Sequence, residues 1–128
     1  MSNSYAIIKP GSIILTDYTA MSGKVTKGFF YVLYSESLDS NTGYLGNLLC
    51  LKITSKAEYS DNYCFPLPKT SFNFLSTDSF VMCSKPNVIK LTNDTRVMAE
   101  VYGGAYRSIY KMFHKFLKEI DRQLMDYL

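Results

Sequence analysis

Leu48-Leu49-Cys50-Leu51-Lys52-Ile53-Thr54-Ser55-Lys56 decides how this chain is read. Its apolar run has the length of a buried strand, and it stops abruptly in two hydroxyls flanked by lysines. A strand end holds its side chains at a surface with little positional freedom. Hydroxyls and ammonium groups together suit a phosphate ester. The same residues also suit a polar turn, because Ser and Thr compete for backbone hydrogen bonds there.

Short strands with turn punctuation surround this central strand. Ser12-Ile13-Ile14-Leu15-Thr16 is opened by the Pro10-Gly11 turn signal, and a loop through Ser22-Gly23-Lys24-Val25-Thr26-Lys27-Gly28 leads to the aromatic strand Phe29–Tyr34. Residues 35–47 are rich in Ser, Asp, Asn and Gly and read as a flexible connection. Further strands are expected at Tyr63-Cys64-Phe65, closed by Pro66 and Pro68, at Ser79–Cys83, at Val88–Leu91 and at Val97–Val101. After Gly103-Gly104 the period changes. Ile109, Met112, Phe113, Phe116, Ile120, Leu124 and Tyr127 recur at three- and four-residue steps, with Lys111, Lys115, Lys118, Glu119, Asp121 and Arg122 mostly on the other side. That is an amphipathic helix suited to covering an open face or end of the sheet. His114 lies beside the stripe with no carboxylate partner nearby in sequence, and reads as structural or solvent-facing. The fold class is therefore mainly β with a C-terminal helix: a small antiparallel barrel or sandwich over about residues 5–102 and one long helix over about 104–127. No repeat or linker divides the 128 residues, which read as a single domain.

Composition narrows the function classes. Apolar residues make up 47% and charged ones 20%, which fits a folded chain rather than disorder. No stretch approaches the roughly 20 apolar residues of a membrane span. Met1-Ser2-Asn3-Ser4-Tyr5 lacks the basic start and apolar region of a secretory signal. Cys50, Cys64, Cys83 and a single histidine make no metal-ligand spacing, so no metal or cofactor is expected, and reduced thiols in a cytoplasm are the simplest inference. Net charge is only +3, but its distribution is uneven: residues 1–94 carry eight lysines, no arginine and seven acids. An anion site there must rely on lysine, hydroxyls and backbone amides.

The order of these features resembles the PemK/MazF-like toxin family of small SH3-like barrels. Pro10-Gly11-Ser12-Ile13-Ile14-Leu15-Thr16-Asp17-Tyr18 is similar to the family's opening. Ser22–Gly28 is similar to its glycine-bounded loop, Tyr31-Val32-Leu33 to its next strand, and Lys52-Ile53-Thr54-Ser55 to its strand ending in a hydroxyl pair. Thr77–Cys83 with Lys85-Pro86-Asn87-Val88-Ile89 resembles its late strand and loop, and a terminal helix completes the order. The resemblance implies a toxin of a toxin–antitoxin system: a metal-independent endoribonuclease that cleaves single-stranded RNA by attack of the 2′-hydroxyl on the adjacent phosphate. It also implies a homodimer and a cognate antitoxin, protein or RNA, as partner, in the cytoplasm. On it, Thr54, Ser55 and Lys56 are the catalytic candidates, and Lys24, Thr26, Lys27, Lys52 and Lys85 the substrate-binding ones. Three positions depart from the family. Its catalytic arginine falls on Phe30, and its late-loop Arg and Asp are also absent. Either lysines (Lys56, with Lys24 or Lys27) supply the charge, or the chain is a noncatalytic member of the fold that binds RNA or a protein partner.

Overall fold

A computed structural model describes residues 8–20, 22–35 and 46–128. Six strands form one antiparallel sheet: β1 (Ser12–Thr19), β2 (Val25–Ser35), β3 (Asn47–Thr54), β4 (Cys64–Leu67), β5 (Ser79–Lys90) and β6 (Arg96–Glu100). Their spatial order is β4-β5-β3-β2-β1-β6, curled into a half-barrel, and helix α1 (Gly103–Tyr127) follows. The expected connection over residues 35–47 lies almost entirely outside the described residues.

Both faces of the sheet are apolar, which explains why the central strand reads as an unbroken hydrophobic run. One face carries Ile13, Tyr31, Leu51, Ile53, Val81 and Cys83 under Ile109 of α1. The other carries Ile14, Phe30, Val32, Leu48, Cys50, Ile89 and Leu91. Neighbouring residues such as Phe30 and Tyr31 thus enter different cores, as strand alternation requires. Gly11 ties three strands together. Its N–H donates to the Val32 carbonyl (2.8 Å), and its carbonyl accepts the Val101 N–H (2.7 Å). Its φ of 99° and the 2.5 Å that would separate an added Cβ from the Val101 carbonyl admit only glycine.

Three expectations need correction. Ser79–Cys83 and Val88–Leu91 are not two strands: the first, and the second up to Lys90, belong to β5, which turns a corner. Between Leu51↔Pro86 and Ile53↔Val81, β3 advances two residues while β5 advances five. The extra residues form a bulge that bends the strand. Second, Pro66 does not close its strand, because β4 is an edge strand in which a missing N–H is tolerated, and Pro66 pairs with Phe80. Third, α1 covers the sheet only with its first half. Met112 and Phe113 pack on the core and Phe116 meets the Tyr63 ring, but Leu117 is 42% exposed, Ile120 38% and Leu124 59%. No helix among the described residues is long and apolar enough to cross a membrane.

Candidate functional site

β3 ends at Thr54, and the chain leaves the sheet through Ser55 and Lys56 into a single 3-10 turn, Ala57–Tyr59. The Thr54 Oγ1 accepts the Lys56 backbone N–H at 3.2 Å, a hydroxyl-capped turn. That leaves the hydroxyl proton of Thr54 available to a ligand. Ser55 and Lys56 are exposed, and the Lys56 ammonium sits 5.8 Å from the Tyr59 ring centroid. The three sequence candidates are therefore not one cluster: Thr54 is the half-buried strand end, and Lys56 is occupied with the turn beyond it.

A better-placed cation stands two residues earlier. Strand alternation puts Lys52 on the same face as Thr54. Its cross-strand partner is Phe30. Phe30 is 1% exposed and belongs to the core. The Lys52 Nζ donates to the Tyr18 hydroxyl at 2.8 Å and lies 4.1 Å from the Tyr18 ring centroid and 4.9 Å from that of Phe30. The two rings meet edge-on, with centroids 5.1 Å apart. An ammonium over two aromatic faces is held electrostatically, and of its three N–H bonds only one is used on Tyr18. Gly28 makes this arrangement possible. An added Cβ there would come within 2.7 Å of both Lys52 Nζ and Tyr18 Cε1.

The other lysines are dispersed. Lys27 does not lie in the loop, because β2 begins at Val25. It shares the face of Phe29 and Tyr31, opposite to that of Phe30, and pairs with its cross-strand neighbour Asp17 at 3.0 Å. Thr26 shares the Phe30 face and is in register with Tyr18. Lys24 closes the β1–β2 turn, its carbonyl accepting the Ala20 N–H. Lys85 stands at the β5 corner beside Asp61. The structure thus brings Lys52 onto Tyr18, places Thr26 and Thr54 on the same face of the sheet, and leaves Lys27, Lys56 and Lys85 with other neighbours.

Sequence reasoning missed Tyr18 as the partner of Lys52 and Gly28 as the space the pair needs. The signal was present as alternation: Tyr18 follows Ile14 and Thr16 at two-residue steps on one face of β1. It also missed a polar knot at the β5 corner. Ser84 donates to Asp61 Oδ2 at 2.6 Å, the Tyr63 N–H donates to Asp61 Oδ1 at 2.8 Å, and the Cys64 thiol lies 3.5 Å from the same oxygen. Partial desolvation opposes ionisation of Asp61, yet those bonds and the Lys85 charge together hold its carboxyl below the ordinary range. The three thiols are free. Burial pushes those of Cys50 and Cys83 up to about 12, and burial also raises that of Cys64. None is prepared as a thiolate nucleophile.

Chemically, the Tyr18–Lys52–Thr54 face offers an ammonium and two hydroxyls over aromatic carbon. That set can grip one phosphate and stack one planar group beside it. No protein-family model matches the chain, and no curated protein is significantly similar to it.

Proposed function

We propose that this chain binds single-stranded RNA at the Tyr18–Lys52–Thr54 face and cleaves it without metal, as the toxin of a toxin–antitoxin system. The observation that carries the reading is the Lys52 ammonium, fixed by Tyr18 directly across from Phe30 and on the same face as Thr54. It puts a charge beside the position where the resembled family keeps its arginine. In the reaction the 2′-oxygen bonds to phosphorus as the bond to the 5′-oxygen breaks. The 2′ proton passes to water, and the departing 5′-oxygen takes a proton from the Lys52–Tyr18 pair. Lys52 balances the charge that builds on the phosphorane, and the Thr54 hydroxyl holds one of its oxygens. On this reading the partner is a cognate antitoxin, protein or RNA, and the active form is a cytoplasmic homodimer of PemK/MazF-like, SH3-like barrels.

A second reading draws on Phe30 itself. A buried aromatic ring at the arginine position suits a barrel that binds RNA or a protein and performs no chemistry. One experiment separates the two: purified protein, varied single-stranded RNAs in EDTA, and end-group analysis for a cyclic phosphate. The nuclease reading expects cleavage that Lys52→Ala and Thr54→Ala abolish and Lys56→Ala largely spares. Absence of cleavage by the unaltered chain across all sequences refutes it.

A further inference from the structure

Helix α1 carries a second feature that the sheet site does not use. Arg107, Lys111, His114, Lys115 and Lys118 fall within an arc of about 100° on the helix, opposite Ile109 and Phe116, and all are exposed. The strip runs about 16 Å along the axis. None of the ion pairs among the described residues engages Arg107, Lys111, Lys115 or Lys118. The next base along, Arg122, is by contrast clamped by Glu119 (2.7 Å) and Asp126 (3.4 Å).

The charge order also runs against the helix. A macrodipole favours acids at the start and bases at the end. Here the first turn has no acid, the last turn has no base, and no side-chain oxygen caps the N-terminus. All the acids of α1 lie at Glu119 or beyond. Selection for stability alone favours the reverse order. Within the strip the Tyr110 and His114 rings lie parallel, 8° apart with centroids at 6.2 Å. Cations flanking a flat aromatic surface match a nucleic-acid strand, which presents phosphates and base faces together. An acidic protein would need only the cations.

We propose that this helical strip is a second binding surface for single-stranded RNA, which holds the strand by its phosphates with one base against the Tyr110–His114 rings. The proposal rests on the RNA reading of the sheet site and adds an anchor remote from the chemistry. Its test uses a 20-nucleotide 2′-O-methyl oligouridine, which cannot be cleaved, and titrations over a range of salt. The triple variant Lys111→Gln, Lys115→Gln, Lys118→Gln keeps good helix formers at exposed positions. A control, Lys9→Gln, Lys69→Gln, Lys90→Gln, loses the same charge away from the helix. Each phosphate contact on a single strand contributes a slope of about 0.7 in log affinity against log salt. The helix triple should therefore lower the slope by about 2 and weaken binding at 50 mM salt by about 100-fold, with the control within about threefold. Equal losses in both variants would show a net-charge effect and overturn the proposal. Undiminished binding by the helix triple would also overturn it and assign the strip to a protein partner or to solvent. Cleavage of a short RNA, measured in parallel, separates the two readings. Strip-dependent binding with no cleavage removes the nuclease and keeps the anchor. Normal cleavage with strip-independent binding does the opposite.

Discussion

Substituting Gly28 by alanine tests the sheet site with a single methyl group. The backbone there is not in the left-handed region, so alanine is sterically allowed by φ and ψ. The obstruction is local: the new Cβ would sit 2.7 Å from Lys52 Nζ and 2.7 Å from Tyr18 Cε1, where ordinary contact begins near 3.4 Å. Lys52 has a flexible end and moves first, by about 1 Å, which disengages it from the Tyr18 hydroxyl. Loss of that hydrogen bond costs about 1 kcal/mol at a half-exposed site, and weakening of the cation–π contact about 0.5. Replacing glycine in a strand returns about 0.5 kcal/mol. The net is about 1 kcal/mol of destabilisation, a fall in Tm of about 4 °C for a domain of this size. On the nuclease reading, catalysis depends on position far more steeply, and a displacement of about 1 Å corresponds to about a 100-fold loss in kcat/KM. Thermal melting by circular dichroism and cleavage of a fluorogenic RNA in EDTA give the two numbers. A variant that melts within a few degrees of the parent and keeps its activity within threefold refutes the assignment of Lys52 and Tyr18 to the site.

Other substitutions probe the frame around it. Gly11→Ala combines a left-handed φ with a Cβ 2.5 Å from a backbone carbonyl that cannot rotate away, so urea melts should show a loss of about 3 kcal/mol or more. The Tyr31 hydroxyl is buried with no hydrogen-bond partner among the described residues, and burial raises its pKa well above the ordinary value. Tyr31→Phe should therefore be neutral or stabilise by up to about 1 kcal/mol in the same assay, and a loss above that would reveal a partner. Asp61 titrates below an unfolded carboxylate, so its ionised form stabilises the fold. That contribution is complete above about pH 4 and disappears as pH falls through the lower folded value. Asp61→Asn should flatten this part of the acid limb of stability against pH, and an unchanged limb would place the effect elsewhere.

How far each element was legible follows from the range of the forces that shape it. The helix was clear because its period is local, yet its uncovered second half was not. Only the extent of the sheet decides where packing stops after Phe116. The β5 corner was hidden because Lys85-Pro86-Asn87 reads as a loop, and only pairing with β3 shows that the ladder resumes beyond it. At the site, Thr54 was readable as a strand end, whereas adjacency in sequence hides the change of direction that carries Lys56 into the turn beyond it. Lys52 and Tyr18 lie 34 residues apart, and nothing local links them. Their meeting is a product of register.

That register raises a separate issue for folding. A sheet with one wet face corrects its own slips, because a shift of one residue exposes the apolar set. Here both faces are apolar, and a slip of β2 against β3 would simply exchange Phe30 for Tyr31. The alternation that normally proofreads strand pairing is therefore weak. Two polar contacts on the Phe30 face supply the check: Lys52 with Tyr18, and the buried hydroxyl pair of Thr16 and Thr95 at 2.9 Å. A slip by one that turned β3 over would drive the Lys52 ammonium toward the helix-covered core, at a desolvation cost of several kcal/mol. Replacing Lys52 and Thr95 with apolar residues should accordingly leave collapse intact while admitting more than one pairing, visible as duplicated amide resonances. A single set of resonances would show that the bulges alone fix the register.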